Sequence, residues 1–132
     1  MTHWAIQYLG APWINGTQDC YGLVRRIYRE QFSIDLPAVN VDAASTLSVA
    51  RQAAGFDRSD WIEESEPRDG DVVQMGHANR PHHVGVWIDV DGGRILHSTE
   101  SAGAIAQTRA QARMTGWKIL NIYRHKARCK QP

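Results

Sequence analysis

Long apolar runs are missing from this sequence. None approaches the roughly 18 residues that a membrane-spanning helix requires, so no membrane span is expected. Cysteine is scarce, with 2 in 132 residues. Small disulfide scaffolds are richer in it, and a bridge between Cys20 and Cys129 is not expected. Excess charge is also absent. A formal net charge of +1 leaves no global basic field for phosphates, which argues against nucleic acid as a partner. The opening residues Met1-Thr2-His3-Trp4-Ala5-Ile6-Gln7-Tyr8 carry neither a basic n-region nor an apolar h-region, so a Sec signal peptide is not expected. No repeat, low-complexity tract or linker interrupts the chain. It reads as a single domain over residues 1–132, with a basic tail at about 124–132.

What is present is ordinary globular composition, 42% hydrophobic and 22% charged, in an informative order. Residues 2–9 suit a short helix. From Cys20 to Phe32, apolar residues fall at Leu23, Val24, Ile27, Tyr28 and Phe32, three and four apart, which predicts a helix with one buried stripe. Asp19 is placed to cap it. An alanine-rich second helix is expected over 42–55, stopping at Gly55. The chain then turns β-like, with strands expected from Trp61-Ile62 and over 71–75, 84–88, 94–97 and 117–123. Turn signals at Arg68-Asp69-Gly70 and Asp91-Gly92-Gly93 separate several of them, the second fitting a hairpin. Helices first and strands afterwards predict an α+β domain, with N-terminal helices packed on a small antiparallel sheet.

The chemistry concentrates at three positions. Cys20 opens the patterned helix, where unpaired backbone N–H groups and the helix dipole favour thiolate over thiol. A lowered thiol pKa is therefore expected. His83 and His97 fall near the same end of the expected hairpin, where one imidazole can take the thiol proton and the other can orient it. The backbone N–H of Cys20 is a candidate oxyanion donor. His82 and His77 raise the question of zinc, but strict strand alternation would send His82 and His83 to opposite faces. His77 and His82 are accordingly expected in the loop and on the outer face. No metal or cofactor is required.

Four motifs, Asp19-Cys20-Tyr21-Gly22-Leu23-Val24, Asp69-Gly70-Asp71-Val72-Val73, His83-Val84-Gly85-Val86-Trp87 and Ile95-Leu96-His97, together resemble the NlpC/P60 peptidases, in that family's own order. The resemblance implies a papain-like fold and cleavage of peptidoglycan stem peptides. It assigns Cys20 as nucleophile, His83 as base and His97 as the orienting third residue. Trp13, Asp19 and Tyr21 fall at the implied oxyanion and substrate cleft. The family usually has serine where this chain has Tyr21, and a tyrosine whose hydroxyl serves the oxyanion where this chain has Trp13. The indole either replaces that donor or walls the cleft. Pro12-Trp13 and the bulky Tyr21 resemble the phage tail-tip branch. That branch implies a virion location, action in the periplasm or cell wall, and tail-hub proteins as partners. Two other readings stand beside it: a structural tail-tip protein with little activity, and a Cys–His amidase or acyltransferase acting on another acyl substrate.

Overall fold

The computed structural model describes residues 3–15, 17–37, 58–77 and 80–130. The helix expected over 42–55 lies outside them. Near the N-terminus, the expected short helix is a 3-10 turn, Trp4–Tyr8. Helix α1, Cys20–Phe32, has the predicted bounds. The Asp19 carboxylate accepts the Gly22 N–H at 2.7 Å, and the helix stops at Ser33 in the left-handed region. Leu23, Val24, Ile27 and Tyr28 form its buried stripe.

The strands are β1 (Trp61–Glu64), β2 (Val72–His77), β3 (Arg80–Ile88), β4 (Arg94–Thr99), β5 (Gly103–Gln107) and β6 (Lys118–His125). They form one antiparallel six-stranded sheet in the order β1-β6-β2-β3-β4-β5. A short helix α2, Arg109–Met114, joins β5 to β6. Neither β5 nor α2 is foreseen by the hydrophobic pattern. Alternation along the strands splits the core in two. Val72, Val86, Ile88 and Leu96 pack with α1 on one side. Val73, Met75, Trp87 and Ile95 pack with Ala112 of α2 and Trp117 on the other. The α+β class follows from this arrangement. Among the described residues no helix is long and apolar enough to cross a membrane.

The basic tail is shorter and less free than its composition suggests. Arg124 and His125 belong to β6, and Arg128 folds back in a 3-10 turn. Fully buried Asp71 draws them in: Arg124 reaches it at 2.7 Å and Arg128 at 2.9 Å. A buried carboxylate demands such partners, and two guanidiniums meet that demand. Arg128 also lies over the ring of Phe32, 4.7 Å from its centre.

Candidate active site

Cys20 is the first residue of α1 and is buried. Backbone N–H groups of Val84, Tyr21 and Cys20 itself act on its sulfur. Gly22 lets the first helical turn sit against the preceding loop, since a Cβ there would run into the Thr17 carbonyl oxygen. That loop is closed by a bridge between Ile14 and Gln18. The β3–β4 ladder runs only from Val86 opposite Leu96 to Ile88 opposite Arg94. Val84 lies beyond it, and its amide is one of the groups that favour the Cys20 thiolate.

The two expected histidines meet. His83 Nε2 lies 2.8 Å from His97 Nδ1, and His97 Nε2 lies 2.8 Å from Gln107 Oε1 at the end of β5. Trp117 stacks on His83 with ring centres 4.2 Å apart and stands nearly perpendicular to His97, 6.3 Å from it. Among the described residues no hydrogen bond joins the Cys20 sulfur to His83. The backbone N–H of Val84, the residue after His83, acts on the Cys20 thiol, which brings the β3 chain beside His83 near the sulfur. Catalytic hydrogen bonds are commonly long or misaligned before substrate arrives.

Burial dominates the electrostatics. It pushes the Cys20 thiol up to about 11, the Asp19 carboxylate adds to the rise, and the three backbone N–H groups oppose it. The lowered thiol pKa expected from the helix terminus is thus overturned, since desolvating a thiolate costs more than the helix start returns. Burial also holds His83 well below the usual imidazole range, with the imidazoles of His97, His82 and His77 adding to the effect. His97 is lowered by burial, against the opposing hydrogen bond to Gln107. Both members of the Cys20–His83 pair therefore rest uncharged.

The expected cleft residues fare differently. Asp19 is a cap whose carboxylate only accepts hydrogen bonds and disfavours nearby negative charge, so it is no oxyanion donor. Tyr21 gives its hydroxyl to the Pro37 carbonyl at 2.7 Å, which ties down the chain leaving α1. Trp13 is half-buried, just ahead of the Ile14–Gln18 bridge. His82 is a correction: it is buried, not on an outer face. Met75 pairs with His83 while Gly76 pairs with Pro81, so His82 is the extra residue of a bulge. The bulge breaks alternation, and His82 and His83 both reach Trp117. His77 ends β2, exposed, and stacks on the same indole. Among the described residues no group of His, Cys, Asp or Glu side chains is arranged to hold a metal ion. Both cysteines are free.

Gln107 and Trp117 escaped the sequence reading. The one local signal for Gln107 is the capping box at Thr108 and Gln111, which marks the strand end just before it.

A helix-start thiol set against an imidazole pair on adjacent antiparallel strands defines a class, the cysteine-type hydrolases of α+β fold. Within that class the chain belongs to the NlpC/P60 family, whose model matches residues 8–124. It is 31% identical over 87 residues to the murein DD-endopeptidase MepS/murein LD-carboxypeptidase of Escherichia coli strain K12, and equally to that of strain O157:H7. The match covers 66% of this chain but 39% of those proteins, so the chain spans well under half their length. The fold is similar to the NlpC/p60 domain of peptidoglycan hydrolase SagA, with a TM-score of 0.55, 17% identity and 90% of each chain covered. It is also similar to a lipoprotein-like NLP/P60 family protein of Staphylococcus aureus. There the TM-score is 0.54 and the identity 20%, with 92% of this chain and 38% of that one covered.

Proposed function

We propose that this protein is a cysteine peptidase that cleaves peptidoglycan stem peptides. The observation that carries this reading is the hydrogen-bonded His83–His97 pair beside Val84, the residue whose backbone N–H acts on the Cys20 thiol. In the proposed reaction Cys20 attacks the scissile carbonyl carbon while His83 takes the thiol proton. His83 then gives the proton to the leaving amine, and water drawn to the same imidazole hydrolyses the thioester. His97 holds the ring in place, and the backbone N–H of Cys20 is the proposed donor to the developing oxyanion. Trp13 walls the cleft. Family membership and the murein-cleaving relatives support the substrate class.

Digestion of purified sacculi, with muropeptides read by mass spectrometry, tests the reading. Wild type and Cys129→Ser are expected to release the same peptides, and Cys20→Ala none. Digestion by Cys20→Ala at the wild-type rate removes the nucleophile assignment. Intact sacculi with wild type, together with turnover of another acyl substrate, favour the amidase or acyltransferase reading.

The finer assignment, a phage tail-tip hydrolase delivered on the virion to the periplasm and cell wall, rests on Tyr21 after Asp19-Cys20 and on Pro12-Trp13 upstream. Mass spectrometry of purified particles and pull-down with tail-hub proteins decide it. Particle association without hydrolysis indicates a structural tail-tip protein.

A further inference from the structure

The imidazole pair does not end at His97. Its Nε2 meets Gln107 Oε1 at 2.8 Å, and Gln107 Nε2 reaches Thr115 Oγ1 at 3.4 Å. Thr115 is the residue that ends α2, and its hydroxyl donates to the helix carbonyls of Gln111 at 3.2 Å and Ala112 at 3.0 Å. A hydroxyl has one proton to give. With that proton directed at the helix end, Thr115 faces Gln107 as an acceptor. The amide must then present its NH2 to Thr115 and its carbonyl oxygen to His97. A carbonyl oxygen can only accept, so Nε2 of His97 carries a proton. In a neutral imidazole the other nitrogen is then bare. His97 Nδ1 therefore accepts across the 2.8 Å contact, and the proton there belongs to Nε2 of His83. Nδ1 of His83 is left without one.

We propose that Gln107 is a positioning residue that sets the tautomers of both histidines, so that His83 offers a bare Nδ1 to the thiol proton. The order is dictated from the C-terminal end of a six-residue helix through two hydrogen bonds, before the imidazoles themselves are reached. With the amide reversed or absent, His97 is free to protonate Nδ1. Two N–H groups would then oppose each other across the contact unless His83 gave up its Nε2 proton. The ring would thereby become a donor at the nitrogen that has to accept. The catalytic relevance rests on the peptidase reading, but the tautomers are physical states that are measured without turnover.

The test is nitrogen-15 NMR of the histidine side chains at neutral pH, in wild type, Gln107→Met, Gln107→Glu and Thr115→Val. Wild type is expected to show both His83 and His97 protonated at Nε2. Gln107→Met, close in size but without the carbonyl, is expected to give mixed tautomers and to lower kcat several-fold with little change in KM, because only molecules with a bare His83 Nδ1 can take the thiol proton. Gln107→Glu keeps an acceptor and is expected to restore the wild-type tautomers. Thr115→Val leaves the histidines and Gln107 in place and is expected to shift the populations in the same direction as Gln107→Met. It carries the test if Gln107→Met does not fold. A proton on His97 Nδ1 in wild type overturns the proposal, as do unchanged tautomers in Gln107→Met or, should that variant not fold, in Thr115→Val. Failure to cleave sacculi with wild-type tautomers as expected counts against the peptidase reading alone.

Discussion

Gly85 faces His97 so closely that a Cβ on Gly85 would stand 2.8 Å from that of His97 and 2.9 Å from Ile95 Cγ2. The bare backbone of one strand thus makes room for an imidazole on the next. Gly85→Ala must push β4 away from β3 or rotate His97 off His83. Overpacking of this kind typically costs about 1–3 kcal/mol. Urea unfolding should show a loss in that range, and hydrolysis at a temperature where the variant remains folded should fall further than the stability loss explains. A fully active Gly85→Ala would mean that His97 has slack the geometry does not suggest.

Thiol labelling separates the two cysteines. Cys20 is buried with its pKa pushed up to about 11, whereas Cys129 is exposed. Iodoacetamide at neutral pH is expected to modify Cys129 first, and labelling of Cys20 should keep rising well into the alkaline range. Peptide mapping by mass spectrometry reads both rates from one sample. A Cys20 rate already level below pH 7 would indicate a resting ion pair with His83 instead.

Removing Trp117 should move the acid limb of the pH–rate profile. The indole covers His83, and burial is the main cause of that residue's weakened hold on a proton. Trp117→Ala admits water, so the His83 pKa rises toward the ordinary imidazole value of about 6.5. In the proposed mechanism His83 acts as base only when neutral, so wild type should stay active in mild acid where Trp117→Ala fails. Equal acid limbs in the two proteins would exclude the indole as the cause.

Stability should share that pH direction. His83 and His97 hold protons less readily in the folded protein than in the unfolded chain. The unfolded state therefore binds more protons as pH falls. The folded state keeps its full margin above about pH 6.5 and loses up to about 1.4 kcal/mol per pH unit per histidine below it. Urea midpoints at pH 7.5 and pH 5 measure the slope, and His97→Asn should flatten it.

The parts of the site legible in the sequence are those fixed by local pattern. The stripe Leu23, Val24, Ile27, Tyr28 and the Asp19 cap place Cys20 at a helix start. Asp91-Gly92-Gly93 brings His83 beside His97. What stayed hidden depends on departures from pattern or on distant partners. Strand β5, Gly103–Gln107, is built largely of small residues with little β character, so Gln107 gave no sign of lying beside His97. One extra residue at His82 defeats the alternation rule that would have turned it outward. The charge of Asp71 draws Arg124 and Arg128 inward, where composition alone suggested a solvated tail. Burial outweighs the helix terminus at Cys20, and sequence does not reveal how deeply a helix start is covered.

The amide of Val84 has one more consequence. A backbone proton near enough to act on the thiol senses the charge there, so its resonance should shift when the thiol ionises. Because the donor belongs to a strand and not to a mobile side chain, the signal is not blurred by rotamer exchange. The sheet thus carries a reporter of the charge on Cys20 that needs no label.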